Sequence, residues 1–158
     1  MFDYEIYTDA SCLPHKQYSC GFGVVTIRNG VITTEESGGI DECLDNHRAE
    51  VFAIMAGLKF LPEKAKAIIF TDCSYAFNML NDAINKDKDG SVYKKNFDVF
   101  LWLRKHIESL HLDLCVEQVK GHGPKAPEYT KLAGKLAKEA AERFAAKELD
   151  KWLYRQQE

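Results

Sequence analysis

Two short segments of the chain end in the same way, and this repetition limits the folds that the sequence can form. The segments "EIYTDAS" (residues 5–11) and "IIFTDCS" (residues 68–74) are apolar runs that stop at Thr-Asp, followed by a small residue and Ser. Runs rich in β-branched and aromatic residues predict strands, and Asp and Ser commonly end strands or cap helices. Asp9 and Asp72 are therefore expected to end two strands of one sheet.

The first part of the chain predicts an antiparallel meander. Residues 20–28 and 31–36 read as strands and flank Asn29-Gly30, which is the strongest short signal for a hairpin. After Asn46 the apolar residues recur at helical spacing, which predicts an amphipathic helix before the next strand.

The rest of the chain alternates helix and strand. Further helices are expected after Ser74, over residues 96–110, and from about residue 128 to the end, with a fifth strand at 112–119. The fold class is therefore α/β, a mixed five-stranded sheet flanked by helices, and residues 1–158 are expected to form a single domain.

The helix between the two Thr-Asp strands places their aspartates together. Strand-helix-strand crossovers are nearly always right-handed and join parallel strands, so the strand ending at Asp72 is expected beside the strand ending at Asp9. Adjacent strands lie about 4.8 Å apart. Both carboxylates should then project from one edge of the sheet, where open α/β sheets place their ligands.

A third carboxylate is placed to join this pair. Glu50 lies one residue before Val51, which opens the apolar face of the first helix. Two carboxylates at strand spacing repel each other, so a proton or a cation is needed between them. Three carboxylates form an all-oxygen site that suits Mg²⁺ or Mn²⁺ better than zinc. Alone, each residue also fits a strand end or a solvated helix position.

Composition excludes several classes of protein. A formal charge of −3 gives no general attraction for nucleic acid, so such binding would need a local basic patch. No apolar run approaches the roughly 18 residues that span a bilayer, and "MFDYEIYTD" has no secretory signal pattern. Five cysteines without a Cys-x-x-Cys pair predict reduced thiols in a cytoplasmic protein, without a disulfide framework or zinc site. A monomer is expected.

Four motifs in order resemble the type 1 ribonuclease H family. They are "YTDASC", "NHRAEVFAIMAGL", "IIFTDCSYAFNML" and "VKGH", and the resemblance extends from Asp3 to about Ala141. It implies hydrolysis of the RNA strand of RNA–DNA hybrids with two Mg²⁺ ions, for which Mn²⁺ is a possible substitute. The products would carry a 3′-hydroxyl and a 5′-phosphate.

The resemblance also implies the roles of individual residues. Asp9 would be shared by both ions, whereas Glu50 and Asp72 would hold the ion nearest the leaving oxygen. His122, in the loop "KGHGPKAP", would assist proton transfer or product release. Without the family context, a loop histidine is more simply read as a solvent-exposed side chain.

The sequence departs from the family at its fourth carboxylate. The family has an Asp within Asn-Glu-x-Ala-Asp-x-Leu-Ala, and the matching stretch here is "TKLAGKLA", with Gly134 at the Asp position. Lys131 and Lys138 lie on the same helix face as Gly134, so one possibility is that an ammonium group partly replaces the lost metal charge. Glu128 or Glu139 in another register is a second possibility, and impaired activity is a third.

Contacts with the hybrid are expected from several other polar residues. The resemblance assigns such roles to the segment before Glu50, where Asp45 replaces the more usual Thr. The candidate nucleic-acid-binding residues are Ser11, Cys12, Asn46, His47, Ser74, Lys94 and Lys95. Acidic residues interrupt the lysines of residues 82–95, so modest, salt-sensitive affinity is expected.

The sequence pattern also allows two functions other than hybrid cleavage to be considered. A non-catalytic binding module of the same fold is kept open by Gly134. A proofreading-type exonuclease requires Asp-x-Glu at the end of the first strand, and the Asp9-Ala10-Ser11 of this chain argues against it.

Overall fold

A computed structural model describes residues 1–13, 19–41, 43 and 45–157 of the chain. In sequence order, the elements within these ranges are β1 (Tyr4–Leu13), β2 (Ser19–Arg28), β3 (Val31–Ile40), α1 (Asn46–Leu58), β4 (Lys66–Thr71), α2 (Ser74–Ile84), α3 (Phe97–Leu110), β5 (Asp113–Gln118) and α4 (Glu128–Gln156).

The strands form one mixed sheet in the order β3-β2-β1-β4-β5. β1, β2 and β3 pair as an antiparallel meander, whereas β4 pairs in parallel with both β1 and β5. Asn29 and Gly30 turn the β2–β3 hairpin with φ angles of 54° and 76°, the left-handed backbone that favours Asn-Gly here. The predicted mixed five-stranded sheet is confirmed.

The prediction that the first strand ends at Asp9 is wrong. β1 continues to Leu13, because β2 pairs with it from Glu5 to Leu13. The parallel pairing with β4 is shorter and ends where Tyr7 lies opposite Phe70. Asp9 and Asp72 each follow that last pair by two residues. The two aspartates therefore lie at the same level of adjacent strands, although only one of the strands ends there.

Each face of the sheet has its own apolar core. The larger core lies under α1, α2 and α3 and includes the fully buried Ile54, Leu80 and Leu103. The smaller core lies on the other face, under α4, where the rings of Tyr7 and Phe70 stack with centroids 4.5 Å apart. Since side chains alternate along a strand, Asp9 shares the α4 face with Tyr7.

Glycines in β2 allow α4 to approach the sheet very closely. A Cβ atom added at Gly23 would lie 2.1 Å from the carbonyl oxygen of Ala133, and one added at Gly21 would lie 2.5 Å from that of Ala137. Ala133 and Ala137 are one helical turn apart and fully buried. Helix backbone thus rests on strand backbone, and this contact fixes the height of α4 above β1 and its aspartate.

The expectation of five reduced thiols is wrong for one pair. Cys12 and Cys20 are directly opposed in the β1–β2 ladder and form a disulfide. Within the described ranges, the free cysteines are Cys43, Cys73 and Cys115. The spacing of cysteines along the sequence did not reveal this pairing, because it depends on the strand register.

None of the helices in the described ranges combines the length and the apolar character needed to cross a membrane.

Replacing Gly23 with Ala tests the α4 contact. The added methyl group would meet main-chain atoms of α4, which cannot rotate away, so Gly23→Ala is expected to lower the free energy of unfolding by about 3 kcal/mol. Gly38→Ala on β3 is the matched control, because its Cβ would meet the movable ring of Phe22 at 3.0 Å. Urea denaturation measures both variants. An equal loss in the two would contradict the assigned contact.

Candidate active site

Three carboxylates from three elements converge at the edge of the sheet. Asp9 belongs to β1, Glu50 to α1, and Asp72 follows β4. One oxygen of each lies within 4.8 Å of the others. Asp9 is 8% exposed, and the other two are partly buried. The pair expected from the sequence is thus joined by the glutamate of the intervening helix.

Glu50 is positioned by the start and the packing of α1. Asp45 caps this helix and accepts a hydrogen bond from the backbone N–H of His47 at 2.9 Å. Arg48 ties the first turn to α3 through an ion pair with Asp98, at 2.7 Å. Farther along, a Cβ at Gly57 would lie 2.8 Å from Ile6, so α1 lies close to β1. The helix is held at both ends, which fixes the position of Glu50.

Asp72 is enclosed by the loop that follows β5. The backbone N–H of Val119 donates to the carbonyl oxygen of Thr71 at 2.9 Å, which extends the β4–β5 pairing. The loop then turns across Asp72, where a Cβ at Gly121 would lie 1.9 Å from a carboxylate oxygen. Any side chain at position 121 would displace this carboxylate. The next residue, His122, is exposed.

Burial and proximity disfavour ionisation of two of the carboxylates, Asp9 and Glu50. Burial, then repulsion from Asp72, raises the pKa of Asp9 to about 6. Burial, then repulsion from Asp9 and Asp72, raises the pKa of Glu50 to about 9. Glu50 Oε2 is also a buried oxygen with no hydrogen-bond partner. A buried acceptor of this kind is suited to a cation.

The donor set fits a hard divalent cation. All three ligands offer carboxylate oxygens, which Mg²⁺ and Mn²⁺ prefer, and no thiol or imidazole belongs to this cluster. A cation between the carboxylates would offset the repulsion that, after burial, raises the pKa values of Asp9 and Glu50. The cluster Asp9, Glu50 and Asp72 therefore fits a magnesium or manganese site.

The three carboxylates line a cavity of about 570 Å³, and both acidic and basic side chains contribute to its lining. Ser11 and His122 lie at this cavity with the carboxylates, as the sequence predicts for residues near the substrate. The lining residues come from the sheet edge, α1, the loop after β5 and one face of α4: Asp9, Ala10, Ser11, Glu50, Asp72, Gly121, His122, Thr130, Lys131, Gly134, Lys135 and Lys138.

The model of the RNase H family matches residues 2–142 of the chain. Ribonuclease H of Thermoanaerobacter sp. is 30% identical over 146 residues, covering 88% of this chain and 90% of that protein. Ribonuclease H of Caldanaerobacter subterraneus is 32% identical over 142 residues, covering 85% and 88%. The chain belongs to the ribonuclease H family. It is accordingly a hydrolase of the nuclease class.

Solved structures of ribonuclease H domains share its fold. RNase H1 from Halobacterium salinarum has a TM-score of 0.63 at 19% identity, covering 89% of this chain and 98% of that chain. An N-terminal RNase H domain from Mycobacterium tuberculosis has a TM-score of 0.67 at 18% identity, covering 92% and 97%. The foamy viral protease-reverse transcriptase in complex with an RNA/DNA hybrid has a TM-score of 0.66 at 19% identity, covering 89% and 20%.

This ribonuclease H has Gly134, and no carboxylate, where α4 meets the three-carboxylate cluster. A Cβ at position 134 would lie 2.7 Å from Asp9 Oδ2. The Asp9 carboxylate therefore takes up the space in which a side chain at 134 would begin. Glu128, one of the alternatives to the missing ligand, is exposed at the start of α4 and is not among the residues lining the cavity.

Two cavity residues of α4 were not identified from the sequence. Thr130 is 1% exposed, and its hydroxyl oxygen has no hydrogen-bond partner. Lys135 lines the cavity together with Lys131 and Lys138. The helical spacing of positions 130, 131, 134, 135 and 138 could have identified both residues, because these positions share one broad face of the helix.

A second groove, of about 950 Å³, is lined by other residues that were predicted to bind nucleic acid. Lys94 and Lys95 are exposed at its rim. His47 lies on its wall, with its ring stacked on that of Tyr75 at 4.5 Å. Asp45 and Asp98 also line the groove, so its charge is mixed.

Three of the expected contact residues belong to neither cavity. Cys12 is held in the disulfide with Cys20. Asn46 is exposed at the first position of α1. Ser74 is the first residue of α2, whose N-cap is Cys73, and its hydroxyl accepts a hydrogen bond from Gln118 Nε2 at 2.8 Å.

The raised pKa values of the carboxylates predict how stability varies with pH. The pKa of Asp9 is 3.8 in the unfolded chain and about 6 in the folded protein. The pKa of Glu50 is 4.5 in the unfolded chain and about 9 in the folded protein. The folded state therefore holds protons that the unfolded state has released, and the free energy of unfolding of the metal-free protein falls as pH rises from about 4 to about 9.

Glu50→Gln removes most of this pH dependence. In EDTA at about pH 8, the variant is expected to melt about 3 °C above the wild type, because glutamine does not have to take up a proton when the chain folds. The difference should vanish near pH 4, and Mg²⁺ should stabilise the wild type more than the variant. Thermal melts followed by circular dichroism measure this, with Glu63→Gln in an exposed loop as control. A wild type whose stability rises with pH in EDTA would contradict the assignment.

Proposed function

We propose that the chain hydrolyses the RNA strand of RNA–DNA hybrids in a reaction that depends on divalent metal ions. The observation that carries this proposal is the convergence of Asp9, Glu50 and Asp72 on one cavity of a ribonuclease H fold. The viral relative bound to an RNA/DNA hybrid supports the choice of substrate. The single-domain organisation, the cytoplasmic location and the monomeric state expected from the sequence remain predictions.

Asp9, Glu50 and Asp72 would hold the metal. A bound divalent ion would supply Lewis acidity, activating a water molecule and stabilising charge on the phosphate oxygens. In the two-ion scheme that the resemblance implies, Asp9 is shared and Glu50 and Asp72 complete one ion's ligands. The side chain that would complete the other has no counterpart at Gly134.

Other residues of the cavity orient the substrate and move protons. Ser11 lies beside Asp9 on β1, where its hydroxyl can donate to a phosphate oxygen. His122 is exposed at the cavity and can exchange a proton with the leaving 3′-oxygen or with solvent. Hydrolysis then breaks the P–O3′ bond, which leaves a 3′-hydroxyl on one fragment and a 5′-phosphate on the other.

The groove of His47, Lys94 and Lys95 is proposed to contact the hybrid away from the cleavage point. Its two lysines are exposed and can neutralise backbone phosphates. Hybrids differ from duplex DNA in their 2′-hydroxyl groups, which proteins read in the shallow minor groove.

A non-catalytic hybrid-binding module is the second candidate, and Gly134 is the observation that favours it. The family's fourth carboxylate is absent at the position that approaches Asp9. The two candidates share a fold and a ligand, so only chemistry separates them.

Cleavage of a labelled RNA–DNA hybrid in Mg²⁺ and in Mn²⁺ separates the candidates. Asp9→Asn is expected to reduce the rate by about a thousandfold or more, because the central metal ligand loses its charge. Asp113→Asn, at the far end of β5, is the matched control and should retain wild-type activity. A wild type that binds the hybrid without cleaving it in either metal would establish the binding module instead.

The contribution of the groove is tested by binding. Lys94→Ala and Lys95→Ala should each reduce the salt dependence of hybrid binding by about 1 in the slope of log affinity against log salt. Lys105→Ala on α3 is the control, since Lys105 is exposed and does not line the groove. Fluorescence anisotropy over a salt series gives the slopes. Slopes equal to that of the control would remove the groove from the interface.

A further inference from the structure

Three lysines of α4 line the same cavity as the three carboxylates. Lys131, Lys135 and Lys138 are exposed. The salt bridges found within the described ranges join Arg48 to Asp98 and Lys151 to Glu148, so these three ammonium groups are not paired with the carboxylates. They remain available to an anion that enters the cavity.

This cavity needs fewer bound cations to neutralise its acidic side chains than a site with four carboxylates needs. Three acidic and three basic side chains line it. With all of them ionised, a single divalent ion leaves the lining with a net charge of +2, which already attracts a phosphodiester. Four carboxylates without lysines would need two divalent ions merely to reach neutrality.

A fourth ligand from this turn of α4 would also have to displace the Asp9 carboxylate. The position of a Cβ on Gly134 is 2.7 Å from Asp9 Oδ2. The contacts of Gly21 and Gly23 with the α4 backbone prevent the helix from lying elsewhere. Lys131 and Lys138 flank Gly134 on the same face, so their side chains extend past the place where the missing ligand would be.

An orphaned hydroxyl on the same face points independently to a ligand. Thr130 is 1% exposed, lines the cavity, and has a hydroxyl oxygen without a hydrogen-bond partner. Buried polar groups are nearly always paired, so an unpaired one facing a cavity is expected to be satisfied by what the cavity binds. A phosphate oxygen is an acceptor suited to both a hydroxyl and an ammonium donor.

We propose that Lys131 and Lys138, with Thr130, bind the scissile phosphodiester in place of a second metal ion, so that this site holds one divalent ion in its complex with substrate. This inference rests on the proposed hybrid cleavage. The lysines donate to the phosphate oxygens, while Asp9, Glu50 and Asp72 hold the single ion. Gly134 is then the residue that leaves room for this arrangement.

The number of ions is measured directly by electron paramagnetic resonance with Mn²⁺. The sample is the full chain bound to a hybrid whose RNA strand carries 2′-O-methyl groups, which prevents cleavage during the measurement. One isolated ion per complex is expected. A spin-coupled pair, such as two ions roughly 4 Å apart would give, would overturn the proposal whether or not the enzyme cleaves hybrids.

The role of the lysines is measured by binding in EDTA, where no metal contributes. The Lys131→Ala/Lys138→Ala double variant is expected to bind the hybrid about tenfold more weakly, with a salt slope reduced by about 2. Lys147→Ala, on the exposed part of the same helix outside the cavity, is the matched control. Affinity and slope equal to those of the control would also overturn the proposal.

These outcomes are distinct from the fate of the proposed function. A wild type that cleaves hybrids while its lysine variants bind normally would leave the proposed function intact and remove this inference. A wild type that holds one ion and needs its lysines for binding, but does not cleave the unmodified hybrid, would support the inference about ligands and remove the enzymatic role. Thermal melts of the lysine variants exclude a loss of fold.

Discussion

The contact of helix backbone on strand backbone, where α4 crosses β2, sets the geometry of the rest of the molecule. It exists because Gly21 and Gly23 have no Cβ atoms to hold Ala133 and Ala137 away. A closer helix buries more of the small residues of α4, and it also brings the helix axis close to Asp9. The distance between α4 and the three carboxylates is therefore set on the neighbouring strand, where Gly23 lies directly opposite Asp9.

The packing of the fold holds the three carboxylates close together, and this proximity is unfavourable for the stability of the metal-free protein. The fold holds Asp9, Glu50 and Asp72 together through β1, α1 and β4, none of which can move without breaking the main core. Raised pKa values are the consequence, and they mean that the site is partly protonated without a cation. A bound metal ion would release protons from Asp9 and Glu50 and relieve repulsion, so metal affinity, stability and pH would be coupled through these side chains.

Much of this arrangement was predictable from local patterns, and the remainder depended on register. The Asn29-Gly30 turn, the two Thr-Asp segments and the helical spacing around Glu50 are properties of short stretches, and they led to the correct sheet. The continuation of β1 beyond Asp9 and the pairing of Cys12 with Cys20 depend on how two strands align, which no short stretch encodes. Lys135 and Thr130 were missed because solvated lysines and helical threonines are common, and only the position of α4 brings them to the cavity.

The glycine at 134 and the lysines around it have one electrostatic explanation. Losing a carboxylate and gaining ammonium groups both shift the cavity toward positive charge, so either change reduces the need for a second cation. A glycine without the lysines would leave the substrate phosphate short of positive charge, whereas the lysines with an aspartate at 134 would pair with it and be unavailable. The glycine and the lysines therefore give the cavity enough positive charge for a phosphate only when they occur together. For this reason we interpret the departure from the family pattern on α4 as a different way of binding the phosphate and not as the loss of a site.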